Sequence, residues 1–215
     1  MLRERLEFLR GPGGLRAAGF FGLKLLARVE VFRVVYQYTQ PGGAPTLPSG
    51  WRYLGLHDDE ALSAISADIL AQAADQCGPP PREIIGDKGS LHLLMIGDAL
   101  AAQLTISRGP KTRLDSPPLS LSMATTDAFL SYLYTWPDYR RLGVAKRLIS
   151  STVNDIAAHD IHRVLAHIRA TNVPSLAAFE HAGWKSEASL LCTLGGRLLM
   201  APGAERSGLG FRSLA

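Results

Sequence analysis

Residues 132–148 read YLYTWPDYRRLGVAKRL, and this run decides the fold. Its first four residues are mostly aromatic or β-branched and suit a strand. Pro137 has no amide hydrogen and stops the ladder. Arg140, Arg141 and Gly143 fill a short loop. Beyond it, Leu148, Val153 and Ile156 can face a core, which predicts a helix over residues 144–158. The first amides of a helix have no partner within it, and the helix dipole adds positive charge there. A strand, a loop and a helix start in this order form a cradle for an anion. Gly143 lets the backbone approach closely, Ala145 keeps the second contact small, and Arg140, Arg141 and Lys146 add formal charge. A pyrophosphate fits such a cradle. The sequence has no GxxxxGK followed by Ser or Thr and no GxGxxG after a strand, which excludes the two common nucleotide loops.

Working outward, residues 51–56 (WRYLGL) read as a strand. Asp58 or Asp59 can cap a helix that runs on through Leu70 and Ala74, with Leu62, Ile65, Ile69 and Ala73 sharing a face. Residues 91–96 and 99–106 flank Gly97-Asp98, a hairpin whose Gly-first order favours a type II′ turn. Residues 111–118 read as a polar loop containing proline, and 129–134 as the strand that enters the cradle. Residues 163–168 read as a buried strand, and 175–181 as a short helix ended by Gly183. Residues 190–194 and 197–200 flank Gly195-Gly196, a second hairpin. This order predicts an α/β (α+β) fold around a mixed sheet.

The 215 residues are 47% hydrophobic and 20% charged, enough apolar surface for one buried core. A net charge of +4 is too mild to argue for nucleic acid, which needs basic residues clustered on one face. Cys77 and Cys192 stand in no CxxC or Cys/His pattern and read as reduced, packed thiols of a cytoplasmic protein. No metal site is expected. The run His57-Asp58-Asp59-Glu60 holds potential ligands but reads as a helix start, because acidic residues favour first turns.

Composition divides the chain into a basic, apolar-rich N-terminal extension (1–40), a Pro/Gly linker (41–50), a main domain (51–200) and a loose C-terminal tail (201–215). Residues 1–10 (MLRERLEFLR) read as a short charged helix and not as a signal peptide, since no uninterrupted apolar run follows. Residues 15–38 are broken by Arg16, Lys24, Arg28, Glu30 and Arg33, too often for a membrane span. Two readings of the extension stand side by side. It is either a basic amphipathic helix that meets a membrane face or a partner, or a segment packed on its own domain with residues 29–38 as an extra strand.

Two runs carry a family resemblance. Arg140-Arg141-Leu142-Gly143-Val144-Ala145, with the strand before it and the helix after it, resembles motif A of the GNAT acyltransferases. Residues 169–184 (RATNVPSLAAFEHAGW) resemble motif B, with Asn172, Ser175, Phe179 and the Gly183-Trp184 pair in place. The likeness covers roughly residues 51–200. It implies a mostly antiparallel central sheet flanked by helices on both faces, with a splayed strand pair at the cofactor site. It implies acetyl-coenzyme A as acyl donor. The backbone of Leu133, Tyr134 and Thr135 would hold the pantetheine arm. Arg140, Arg141, Leu142, Gly143, Val144, Ala145 and Lys146 would hold the pyrophosphate, with Asn172 and Phe179 on the other side of the arm.

The resemblance further implies direct transfer of an acetyl group to the amine of a small molecule, with an amino sugar or a cell-envelope precursor among the candidates. Attack needs a neutral amine. Relatives often place a Glu five residues before the motif B Asn. His167 stands there and is the candidate base, against a reading as a core histidine. Phe179 stands where many relatives carry a proton-donating Tyr, which leaves Tyr132, Tyr134 and Tyr139 as candidate acids, Tyr134 foremost, or solvent in their place. His162, His181 and Trp184 read as structural. Two other functions stay open: transfer of a longer acyl chain from coenzyme A or acyl carrier protein, and a non-catalytic coenzyme A sensor. The expected protein is cytoplasmic, a monomer or homodimer, and peripheral at the inner membrane face if the extension binds lipid.

Overall fold

The computed structural model describes residues 14–39, 42 and 45–214; the charged run 1–10 lies outside them. Helix α1 (Gly14–Leu26) leads into strand β1 (Val29–Tyr38). Next come β2 (Trp51–Leu56) and three short helices, α2 (Asp59–Ser63), α3 (Ala67–Ala74) and α4 (Pro81–Gly86). Strands β3 (Ser90–Ile96), β4 (Ala99–Arg108), β5 (Lys111–Asp115), β6 (Pro118–Ser122) and β7 (Asp127–Thr135) follow. The chain continues as α5 (Val144–Ile156), β8 (Arg163–Arg169), α6 (Val173–His181), β9 (Lys185–Thr193), β10 (Leu198–Met200) and β11 (Gly210–Ser213). Eight strands make one sheet in the order β10-β9-β1-β8-β7-β4-β3-β2, and β11-β6-β5 make a second. Within the large sheet β7 and β8 run parallel, and the other neighbours are antiparallel.

Alternation along the strands sends side chains to two cores. Val164, Ala166 and Ile168 of β8 meet Val144, Leu148, Ile149 and Val153 of α5. Leu165 joins Phe32 and Phe129 against Leu114, Leu119 and Leu121 of the small sheet. A third cluster packs Leu62 and Ala73 on Leu91, Leu93 and Met95. A fully buried leucine such as Leu148 contributes about 1.5–3 kcal/mol.

Of the two readings of the N-terminal segment, the one that makes residues 29–38 an extra strand holds: β1 lies between β8 and β9 and pairs with both. Val31, Phe32, Val34 and Val35 are buried, and their β-branched and aromatic character suits a central strand. Other expectations are corrected. The polar loop at 111–118 is instead the hairpin β5–β6. The alternation Leu119-Ser120-Leu121-Ser122 was the signal for it, and both leucines are fully buried. The single helix expected from Asp58 to Ala74 is two. Asp58 caps the first by accepting Ala61 N–H at 2.7 Å. Ser63 then donates to the Asp59 carbonyl, and Ser66 caps the second, since serine competes with the helix for backbone groups. The tail is tied down: β11 pairs with β6. Both glycine hairpins form, with positive φ at Gly97 and not at Asp98, as a Gly-first turn requires.

Candidate active site

Strands β7 and β8 pair from Asp127↔Arg163 to Leu130↔Ala166 and then part. Beyond that point β7 keeps its partner β4 on one side, while β8 stays paired with β1 along its length. The closed end is fastened where the two strands begin. Arg163 Nη2 donates to Asp127 Oδ2 at 2.6 Å and its Nε to Oδ1 at 3.0 Å. The hydrogen bonds to Asp127 raise the guanidinium above its usual pKa against the effect of burial. At the open end β7 carries a bulge opposite Gln103 and Thr105, with Tyr132 at φ 50°. A non-glycine residue in the left-handed region is uncommon, and such positions gather at functional sites.

The parted strands enclose a cleft of about 300 Å³, bordered by Leu133, His167, Asn172, Ser175 and Phe179. A larger cleft of about 780 Å³ adjoins it, bordered by Glu83, Asp87, Arg108 and Lys111. Arg113, Ser131 and Tyr132 border both.

The loop after β7 leads directly into α5, in the expected order of strand, loop and helix start. Gly143 is the N-cap residue of α5 at φ 75°, with no side-chain cap. No acidic residue occupies the first turn, so nothing there cancels the positive end of the helix. Arg141 is also left-handed, at φ 65°. Arg141, Leu142, Gly143 and Lys146 are exposed, Ala145 is half-buried and Val144 is buried in the core. Arg140 ties the loop to the strand, its Nε donating to the Thr135 carbonyl at 3.1 Å. Arg147, which sequence reasoning passed over, lies with its guanidinium 5.3 Å from the Trp51 ring centroid. Its Nη1 reaches the Leu142 carbonyl at 3.4 Å. These residues suit a pyrophosphate, and the open edge of β7 suits an amide-bearing arm.

A model of the acetyltransferase (GNAT) family matches residues 62–184, more than half of the chain. The chain belongs to this family. Among solved structures, the chain is similar to one described as a GNAT-family acetyltransferase from Novosphingobium aromaticivorans. The two share 21% identity over 76% of this chain and 62% of the other, with a TM-score of 0.50. A GCN5-related N-acetyltransferase from Kribbella flavida is 13% identical over 89% of this chain and 67% of its own, at 0.51. One from Sphaerobacter thermophilus is 14% identical over 79% and 54%, at 0.50. The chain thus spans about half to two thirds of these relatives' length. No curated protein matches it. The GNAT fold is the architecture described above.

The structure brings Leu133, His167, Asn172 and Phe179 to one cleft. Asn172 caps α6, its Oδ1 accepting Ser175 N–H at 3.2 Å. Phe179 is buried edge-on to Trp184, centroids 4.7 Å apart. Tyr134 is placed elsewhere: its ring lies against Trp136 and near the Arg140 guanidinium, while Tyr132 borders both clefts. His167 sits between Phe32 and Phe129, each ring centroid 5.6 Å away. Its Nε2 meets the Ser116 carbonyl at 2.8 Å. A carbonyl only accepts, so that nitrogen carries a hydrogen and cannot take a proton while the bond holds. His181 donates from Nδ1 to the Ala177 carbonyl at a helix end, and Trp184 is buried.

Proposed function

We propose that this chain is an acetyl-coenzyme A-dependent N-acyltransferase that acetylates the amine of a small molecule. The parting of β7 from β8 directly before the uncapped start of α5 carries this reading. Acetyl-coenzyme A, when bound, supplies a thioester-activated acyl group. The backbone of Leu133, Tyr134 and Thr135 offers hydrogen bonds to the pantetheine arm, with Asn172 and Phe179 opposite. Residues 140–146 hold the pyrophosphate through amides, the helix dipole and the charges of Arg140, Arg141 and Lys146. The acceptor enters through the larger cleft, where Glu83 and Asp87 draw an ammonium group and Arg113 meets an anionic substituent.

Tyr132, at the junction of the two clefts, provides the proton for the leaving thiol in place of Tyr134. His167 positions the Ser116 segment, and the amine proton leaves to solvent. Exposed Leu25 and Leu26 of α1 beside Lys24 and Arg28 support peripheral contact of a cytoplasmic protein with a membrane face or a partner. Among the described residues no helix is long and apolar enough to cross a membrane.

Calorimetry with coenzyme A, followed by a thiol-release screen over amines, tests the reading. Gly143→Glu places a side chain at φ 75° against Arg147 Nη1 and a negative charge in an anion site. It is expected to weaken coenzyme A binding by about 100-fold or more, since at roughly 1.4 kcal/mol per tenfold this needs only about 3 kcal/mol. Unchanged affinity in the folded variant would remove the pyrophosphate assignment. Coenzyme A binding without thiol release for any amine would favour a sensor.

A further inference from the structure

At the opposite end of α5 from the anion cradle, the fold assembles a second polar centre. Asp155 lies near the end of α5, about 18 Å along the axis from Gly143 at 1.5 Å per residue. His159 ends the short 3-10 turn that follows, Ala157–His159. His57 comes from the loop between β2 and α2, and its ring lies 4.4 Å, centroid to centroid, from that of His159. His57 Nε2 is 2.8 Å from Asp155 Oδ2. One candidate ligand atom from each of His57, Asp155 and His159 lies within 4.8 Å of the others.

Two features set this cluster apart from a surface ion pair. The carboxylate is oriented from behind by a buried train of hydrogen bonds. Tyr53 O–H donates to Asp155 Oδ2 at 2.8 Å, and the Tyr53 oxygen meets His92 Nδ1 at 2.6 Å. His92 Nε2 meets Ser90 Oγ at 2.7 Å. Tyr53 has one hydrogen and gives it to Asp155, so His92 donates from Nδ1 and accepts from Ser90 at Nε2. Both Ser90 and His92 are fully buried. The backbone also leaves room at Gly55, where a Cβ would collide with Asp155 Oδ2 and stand 3.0 Å from His57 Nε2.

We propose that His57, Asp155 and His159 bind a divalent first-row transition-metal ion of the Zn²⁺ or Co²⁺ kind, which clips the β2–α2 loop to the end of α5. Two imidazoles and one carboxylate suit such ions, whereas Mg²⁺ and Ca²⁺ take shells of oxygen. Bonds of about 2.0–2.2 Å require the widest ligand pairs to draw together. His159 is exposed and can swing to do so. Tyr53 is the outer group that aims the carboxylate, as metal-bound carboxylates need. Three protein ligands leave a coordination position for water. The site is remote from the cradle and fastens the fold without joining in acyl transfer.

The test uses the untagged 215-residue chain, stripped with a chelator and titrated by calorimetry with ZnCl₂, CoCl₂ and MgCl₂. One equivalent of Zn²⁺ and of Co²⁺ should bind, with none of Mg²⁺, and Zn²⁺ should raise Tm. His159→Ala removes an exposed ligand and leaves the buried train intact. It should weaken Zn²⁺ binding by about 10-fold or more and abolish the Tm rise. His57→Gln should do the same, while His162→Ala and His181→Ala, at exposed positions outside the cluster, should not. Coenzyme A affinity should be the same in stripped and loaded protein. Absence of stoichiometric Zn²⁺ and Co²⁺ binding would overturn the proposal. So would wild-type affinity in both His57→Gln and His159→Ala. Loss of coenzyme A binding on stripping would overturn the remoteness of the ion from the cradle.

Discussion

At Tyr132 the backbone takes φ 50° within a strand, a conformation that costs about 1–3 kcal/mol and needs its surroundings to hold it. The bulge places this tyrosine at the border of both clefts, whereas Tyr134 points its ring at Trp136. A single kinetic series separates the candidates. Tyr132→Phe should lower kcat by about 10²-fold, the usual scale for a lost proton donor, and Tyr134→Phe by less than about threefold. On the proposed route, in which the amine proton leaves to solvent, His167→Ala should cost less than about tenfold and keep the pH profile. A loss of about 10²-fold with disappearance of the acidic limb would return His167 to the role of base. The two thiols make a separate prediction. Burial pushes both Cys77 and Cys192 up to about 11 from 9.0. Between these values the unfolded chain ionises first and binds fewer protons. Their contribution is therefore complete below pH 9 and is lost as pH rises toward 11, by at most about 1.4 kcal/mol per pH unit for each thiol. Urea midpoints between pH 8 and 11 should show this decline, and Cys77→Ala should roughly halve the part due to the thiols.

The strand pair that makes the site is an element closed at one end and open at the other. The Asp127–Arg163 pair closes it, with side chains only 4% and 12% exposed. Arg163 Nη1 also donates to the Ser207 carbonyl at 3.1 Å, which ties the C-terminal segment to the same point. Removing one partner leaves a buried charge alone, and such losses run to about 3–5 kcal/mol. Asp127→Ala should therefore lower unfolding stability by about that much in urea, well beyond a surface substitution. A change under about 1 kcal/mol would mean that the guanidinium reaches water and the clamp is weak. Helix α5 serves two ends in the same way. Its start is left open by Gly143, and its last turn delivers Asp155 beside His57.

Across the whole molecule, β1 is the element that joins the chain's beginning to its centre. It fills the place between β8 and β9 and buries Phe32 and Val34 on the face shared with Phe129 and Leu165. A chain beginning at residue 51 should expose both neighbouring strand edges and those apolar side chains, and should be insoluble or unfolded. A chain beginning at residue 51 that yields a cooperative melt and full coenzyme A affinity would restore the extension reading. The backbone around Gly143 was legible in the sequence because its physics is local: Pro137 ends a strand, Gly143 accepts a positive φ, and the next thirteen residues are helical by their own apolar spacing. The two glycine hairpins and the cap at Asp58 were legible for the same reason. The position of β1 was not, since a β-branched run does not state which strands it will pair with. Nor was the hairpin β5–β6, whose alternation is short and interrupted by two prolines. The sequence by itself determined most of the elements, the strand, loop and helix start around Gly143, and the family motifs. The tertiary structure alone decided that Tyr132 and not Tyr134 faces the clefts, and that His167 is held by Ser116. It also decided that His57 meets Asp155 and His159 across about a hundred residues, because such contacts depend on register and packing between segments that carry no local record of one another.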